Sequence, residues 1–334
     1  MFQKRRWLKI LLLLALVGAL TVYIAGEMFF NLNSNIVYYT VMDAEKTMLK
    51  VRLKRGAWKA PTDLTPADLA AAMIERHEEP GLRWTSLHVN RDAGMLAGMA
   101  QRLFGAQVHV VQITPERFDF MTSFLPKFVV TTARERMDTE NLWFAITANF
   151  RYPNGKPMGW VNHEGLRVNN PFGDWSGCFF VKGGKPYFGP KSLEVEVPGP
   201  IQEGSQVYPA VMKNHTIFPY VELKPDEHFD GSKVTYRALG GMKKDGTIVF
   251  VLSGDGGVMN VAEVSEIARK LDVQHATLLD GGRALQYSIR TADGPWHFAA
   301  FNTLLPFQKK ALEPQKSPVY IGVRRKAPVI VPGR

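Results

Sequence analysis

Residues 232–290 read SKVTYRALGGMKKDGTIVFVLSGDGGVMNVAEVSEIARKLDVQHATLLDGGRALQYSIR, the most regular stretch of the chain. Residues 247–253 (TIVFVLS) are a short, β-branched apolar run with Asp245-Gly246 before it and Gly254-Asp255-Gly256-Gly257 after it. An apolar run with turn residues at both ends predicts a buried strand. Over residues 260–271 the apolar side chains Val261, Val264, Ile267, Ala268 and Leu271 recur three and four apart, which predicts an amphipathic helix. Residues 276–279 form a second apolar run that stops at Asp280-Gly281-Gly282. The order is strand, glycine turn, helix, strand, glycine turn. Asp255 and Asp280 each fall just past a strand's carboxyl end, where open α/β sheets place their ligands, so the active site is expected here.

The remaining composition narrows the class. The chain has 334 residues, of which 46% are hydrophobic and 22% charged, an ordinary globular balance. One cysteine, Cys178, excludes an internal disulfide framework, and its apolar flank (GCFFV) predicts a buried, inert thiol. The net charge is +10, with much of the excess in the first sixty residues. Basic residues beside a membrane segment reflect topology and anionic lipid more often than nucleic acid, so no nucleic-acid partner is expected.

Residues 1–30 open with Lys4-Arg5-Arg6 and continue as an apolar run, with about seventeen uncharged residues from Ile10, near the minimum for a transmembrane helix. The basic flank predicts a cytoplasmic N-terminus and an extracytoplasmic remainder. Without a clean small-x-small cleavage site, a retained anchor through residues 8–30 is favoured over a cleaved signal peptide. The expected location is therefore the cytoplasmic (inner) membrane, single-pass, with the C-terminal domain in the periplasm. Residues 31–106 read as a mixed region: loose alternation over 38–53, a helix from the Thr65-Pro66 cap to about Glu79, and a second helix over 93–104. His77 and His88 lack partners at ligand spacing.

From Gln107 the pattern turns to β. Strands are expected at 108–113, 127–131 and 145–147, hairpins at 159–168 and 177–188, a long connection at 198–209, and late strands at 287–289, 297–301 and 319–323. The expected fold class is α+β: a mixed, strand-rich sheet domain over 107–325 with a strand–helix–strand active-site unit, preceded by the transmembrane helix, and followed by a tail at 326–334.

Four stretches in order resemble the phosphodiester glycosidase family. FAITANFRYPNGKPMGWV (144–161) is similar to its Asn-Gly-Gly-Phe-Phe segment and Pro-Asx-Gly turn, and WSGCFFVKGGKP (175–186) to its Ser-Gly-Phe-Phe segment. YRALGGMKKDGTIVFVLSGD (236–255) resembles its Arg-Thr-Ala-Ile-Gly segment, and TLLDGG (277–282) its Leu-Asp-Gly-Gly segment. The sequence departs from the pattern twice. Ala148-Asn149-Phe150-Arg151-Tyr152 lacks the paired glycines, and Arg283-Ala284-Leu285 replaces a small, serine-containing tail.

The resemblance implies that Arg237 clamps phosphate, since a guanidinium fork engages two oxygens at once. It implies that Asp280 acts as base or nucleophile, with Asp255 as second carboxylate and Gly281 and Gly282 opening the backbone to a ligand. Asn149 is expected to bond sugar hydroxyls or to serve the turn; Arg151, which has no counterpart in the family, either adds a phosphate contact or fills the space left by glycine. His163 and His215 are weaker acid–base candidates. Nothing in the sequence requires a metal or other cofactor, although a divalent cation on Asp280 or Asp255 is compatible with it. The implied function is hydrolysis or transfer at a sugar–phosphate linkage of an envelope or exported glycan. The alternative is a degenerate member that binds a glycan or a partner in envelope biogenesis without chemistry.

Overall fold

The computed structural model describes residues 2–30, 48–91, 106–173, 175–219, 229–300 and 314–327. Helix α1 (Phe2–Phe30) contains an 18-residue span, Trp7–Ile24, of mean hydropathy 2.2, long and apolar enough to cross a membrane and not covered by the rest of the chain.

Strands dominate the remainder. The largest sheet has ten. Its path is β14 (Thr216–Ile217), β13 (Ala210–Lys213), β17 (Val273–Leu278), β15 (Ala238–Lys243), β16 (Ile248–Ser253), β5 (Gln107–Ile113), β4 (Leu82–Arg91), β1 (Leu49–Arg52) and β2 (Trp58–Lys59), with β3 (Ile74–Glu79) also pairing β4. A second sheet runs β11 (Lys185–Pro190), β10 (Gly177–Lys182), β12 (Glu203–Val207), β8 (Val161–His163) and β9 (Leu166–Asn169). A third runs β19 (Gly294–Ala299), β18 (Gln286–Thr291), β7 (Phe144–Thr147), β20 (Val319–Arg325) and β6 (Phe118–Phe124). The short helices α2 (Pro66–Ala72), α3 (Ala133–Thr139) and α4 (Leu193–Glu196) lie between strands.

The quoted stretch folds as strand, helix α5 (Val261–Lys270) and strand. β16 and β17 are each antiparallel to β15, which lies between them, so they are parallel to each other and α5 makes the crossover. Asn260 caps the helix: its Oδ1 accepts from Glu263 N at 2.9 Å, while the Glu263 carboxylate accepts from Asn260 N at 2.8 Å. This reciprocal box satisfies two of the donors a helix start leaves open. Glu263 also pairs with the buried Arg91 and accepts from Leu49 N at 2.9 Å, fastening α5 to β4 and β1. Val261, Val264, Ile267 and Ala268 are fully buried beneath it.

The sheets meet through aromatic rings. Phe144 of β7 and Phe250 of β16 lie 4.7 Å apart between ring centroids, and Phe188 of β11 meets Phe250 edge-on at 5.3 Å. Phe188 rests against Gly240, where a Cβ would come within 2.5 Å of its ring. The glycine is there because a large ring fills the space above it.

Five expectations from the sequence need correction or restriction. The helix begun at Thr65 ends at Ala72, because residues 74–79 pair with β4 as a strand, and ladder pairing overrides their weak strand propensity. Residues 127–131 are not a strand: Lys127 and Phe128 adopt positive φ (59° and 56°), which breaks extended backbone. The connection at 198–209 contains β12, which the turn-rich composition hid and which β10 and β8 complete on either side. The helix expected at 93–104 and residues 38–47 of the alternating stretch lie outside the described residues.

Gly240→Ala is expected to destabilise the fold by about 2 kcal/mol, since a buried, unyielding ring makes the added methyl an overpacking defect. The urea midpoint should fall with the denaturant slope unchanged.

Candidate functional site

Strand topology gathers the site at one end of the sheets. Asp280 lies two residues past β17, Asp255 two past β16, and Arg237 immediately before β15, between them. Three carbonyl contacts hold the Asp280 turn. Asp280 N donates to Ala148 O at 3.1 Å, Leu279 N to Ala238 O at 2.9 Å, and Gly282 N to Tyr236 O at 2.7 Å. The first of these joins the end of β17 to the end of β7, and so the large sheet to the third. Both glycines are required by the turn itself. A Cβ on Gly281 would sit 2.7 Å from Tyr236 O, and Gly282 has φ 57°.

Asp280 is 6% exposed. Burial pushes its carboxyl up to about 8, against the opposing pull of the Arg151 charge and the Gly281 N–H. Desolvation disfavours the ionised form, and one cation in the vicinity offsets it only in part. Burial therefore favours the protonated form of Asp280 in the free protein at neutral pH. Arg151, half-buried, has its Nε buried without a hydrogen-bond partner.

The other expected residues have different surroundings. Asn149 is fully buried, with every polar atom of its amide engaged: Nδ2 donates to Met158 O at 3.0 Å and Gln206 O at 2.7 Å, and Oδ1 accepts from Ser205 Oγ. It fastens the end of β7 to β12. Arg237 is also buried. Its Nη2 donates to Asp230 O at 2.7 Å and Lys233 O at 2.6 Å, its Nε to Met259 O at 3.4 Å, and its guanidinium lies 5.1 Å from the Phe229 ring centroid. These contacts fold the 229–233 segment against residue 259.

Asp255 is exposed by surface area although protein atoms crowd its carboxyl; surface area governs access to water, so the upward push of burial on it is modest. Burial raises the hydroxyls of Tyr236, Tyr287 and Tyr320, with the Asp255 charge adding to the push on the first two and Asp280, once ionised, to that on Tyr320. With β15 between their strands, the two turns start about 10 Å apart. The two aspartates thus belong to separate clusters at the same sheet end. His163 Nδ1 lies 3.1 Å from Glu203 and His215 Nδ1 3.7 Å from Asp272, each occupied locally. Among the described residues no group of three or more His, Cys, Asp or Glu side chains is placed to hold a metal ion. Cys178 is buried, and burial holds its thiol well above the usual range.

Sequence reading overlooked Gln206. Its side-chain Oε1 accepts from Phe172 N at 3.0 Å and Trp160 N at 3.2 Å, and its Nε2 donates to Phe172 O at 3.2 Å and Trp175 O at 3.3 Å. One side chain thus holds the loop that carries Phe172 and Trp175. The two aromatics three apart in a Pro/Gly-flanked loop were the available signal.

Asp280→Asn should alter stability with a definite sign. The folded-state carboxyl titrates near 8 rather than 3.8, so the native state retains a proton that the unfolded state has released between those values. Stability from this group is full below the unfolded value and is lost as pH rises through the folded one, at up to about 1.4 kcal/mol per pH unit. The wild-type Tm should fall relative to that of Asp280→Asn between pH 5 and 8 in thermal melts, and parallel Tm values across that range would refute the assignment.

Comparisons with known proteins bear on the family and the fold. The profile of the phosphodiester glycosidase family matches residues 140–304. The catalytic domain of zebrafish N-acetylglucosamine-1-phosphodiester alpha-N-acetylglucosaminidase, auto-inhibited by its pro-peptide, superposes with a TM-score of 0.56 at 13% identity, covering 80% of this chain and 92% of that one. A hypothetical protein from Synechocystis superposes with a TM-score of 0.53 at 12% identity, covering 84% of this chain and 68% of that one. At such identities the likeness is one of fold. A search of curated protein sequences finds no significant match. By its matched segment and its fold, the chain carries a domain of the phosphodiester glycosidase family.

Proposed function

We propose that the protein is a membrane-anchored hydrolase that cleaves the bond between a sugar's anomeric carbon and a phosphodiester oxygen, with Asp280 and Arg151 as the working pair. The observation that carries this reading is the buried Asp280 within range of the charge of Arg151, an arginine whose buried Nε has no hydrogen-bond partner, inside the segment matched by the family.

The chemistry follows from charge. A phosphodiester is a monoanion, and when the C1–O bond breaks, the electron pair stays on oxygen and leaves a phosphate monoester approaching a dianion. Negative charge therefore grows on the leaving group. Arg151 stabilises that charge more in the transition state than in the ground state, which is the condition for catalysis rather than mere binding. Asp280 enters neutral, so it does not repel the incoming monoanion, and it donates its proton to the departing oxygen. Water adds at C1 and its released proton restores Asp280, closing the balance as sugar plus phosphate monoester. Asn149 and Arg237 act as positioning residues that hold β12 and the 229–233 segment around this pair. Asp255 lies across β15, as a second carboxylate facing Tyr236 and Tyr287.

The N-terminal helix supports a single-pass anchor with its catalytic domain, residues 107–325, outside the cytoplasm. There the substrate would be a phosphodiester-linked envelope or exported glycan.

The test is hydrolysis of a methyl-capped glycosyl phosphodiester by the detergent-solubilised full chain in oxygen-18 water. Cleavage at carbon predicts the label in the released sugar. Label in the phosphate would make the enzyme a phosphodiesterase and refute the assignment. Asp280→Asn and Arg151→Met should each lower kcat by about 10²-fold or more. A wild-type chain inactive on a broad substrate panel would favour a glycan-binding member without chemistry, in keeping with the replaced glycines at Phe150 and Arg151.

A further inference from the structure

The hairpin that follows the apolar helix in sequence carries cations and an open indole. Residues 48–59 (MLKVRLKRGAWK) hold five Lys or Arg side chains and no Asp or Glu. They fold as β1 and β2, with Val51 opposite Lys59 and Arg52 opposite Trp58. Leu53 N donates to Ala57 O at 2.7 Å and Gly56 N to Leu53 O at 2.9 Å, closing a turn that Gly56 enters at φ 84°. The two-residue alternation of a strand sorts the side chains. Leu49 and Val51 are buried in the core, whereas Arg52, Lys54, Arg55 and Trp58 are exposed. Lys59 is held by Asp68 of α2 at 2.9 Å. Among the described residues, no carboxylate pairs with Arg52, Lys54 or Arg55.

Protection of a sheet edge does not account for this surface. Charges on an edge strand guard against pairing with a second chain. That purpose calls neither for a tryptophan 41% exposed nor for the exclusion of acidic residues, and Met48, 53% exposed, adds apolar surface beside them. Cations around an open indole suit a layer that is anionic at its surface and apolar just beneath, which is the interface of a bilayer. Such a layer is within reach. The Trp7–Ile24 span is apolar enough to cross a membrane, and the seventeen residues between Phe30 and Met48 extend to at most about 60 Å. A tether of that length makes the encounter intramolecular, so a contact of modest strength suffices.

We propose that the β1–β2 hairpin docks on the anionic phospholipid headgroups of the bilayer that the N-terminal helix enters. Trp58 lies at the headgroup level, and Arg52, Lys54 and Arg55 meet the lipid phosphates. Docking rests on the anchor proposed above and on no step of the cleavage reaction. Strand direction gives it a consequence. β1 is antiparallel to β4, with Leu49 opposite Arg91, and β4 is antiparallel to β5, whose first residue, Gln107, donates its N–H to Asp255 O at 2.9 Å. β1 therefore starts at the sheet end that carries Asp255 and runs away from it. With its turn on the bilayer, the site end faces away from the membrane, toward substrate that stands off the surface.

The experiment places the full chain in lipid nanodiscs with an environment-sensitive nitrobenzoxadiazole label on Ala57→Cys or, in the exposed turn after Arg151, on Asn154→Cys. The native Cys178 is buried and stays unlabelled. The discs are phosphatidylcholine alone or mixed with phosphatidylglycerol. Emission from residue 57 should shift to the blue in the phosphatidylglycerol discs only, and high salt or Lys54→Glu/Arg55→Glu should abolish the shift. Lys54→Gln alone should lower the ratio of docked to undocked label about fivefold. The label at residue 154 should keep its water-exposed spectrum throughout. A label at 57 that ignores lipid charge, or one at 154 that shifts in its place, overturns the docking. A response at 57 to soluble inorganic polyphosphate but not to phosphatidylglycerol also overturns it, by making the partner a soluble polyanion. Carbonate extraction from vesicles reports the anchor separately. An inserted chain with an unresponsive hairpin would sink the docking alone; a charge-dependent shift on vesicles in an extractable chain would sink the anchor alone.

Discussion

The site depends on a buried amide. Asn149 has no exposed surface and uses both donors and its acceptor on two separate segments: the Met158 carbonyl, and the Gln206 carbonyl and Ser205 hydroxyl of β12. Buried polar groups of this kind are costly unless fully satisfied, and when satisfied they specify one arrangement of the elements they join. Here they join the end of β7 to β12. Through Ala148 O the same strand end receives the Asp280 backbone N–H, and through Gln206 it reaches the loop of Phe172 and Trp175. Acid, arginine and rings are thus hung from a single junction between sheets.

That junction creates the charge state on which the proposed mechanism rests. Closing the β7 and β17 ends together buries Asp280, and burial makes its ionised form expensive. Arg151 softens the penalty without removing it. A neutral acid within range of a cation suits a monoanion whose leaving oxygen gains negative charge as the bond breaks and then takes up a proton. The acid avoids repelling the substrate and the cation gains from the product. The stability lost at Asp280 above acidic pH is the cost that the rest of the core sustains.

Much of this was legible in the sequence, and what escaped has identifiable causes. β16, α5 and β17 could be read because apolar periodicity, the Asn260 cap and the bounding glycines all point to the same elements. Insertion of β15 between β16 and β17 was not legible, since strand order depends on long-range pairing. Residues 74–79 misled because Glu, Arg and His mask a strand that exists through its ladder with β4. Asp280 could be singled out by its place after an apolar run, but its protonation could not, because desolvation depends on what the fold stacks around it. Asn149 and Arg237 were recognisable as residues of interest. That their polar atoms bind backbone carbonyls becomes visible only when residues 158, 206, 230 and 233 are brought to them.

The central claim is that a buried, neutral Asp280 under the influence of the Arg151 charge does the chemistry, and the pH dependence of kcat/KM on a methyl-capped glycosyl phosphodiester tests it most directly. The account predicts a plateau at neutral pH that falls as pH rises through about 8, where the Asp280 proton is lost. Arg151→Met, besides its lower rate, should displace the fall to higher pH, because the arginine charge is what pulls the carboxyl down. A rate that instead climbs from pH 4 and stays level past pH 9 would mean that an ordinary ionised carboxylate does the work, and would contradict the account.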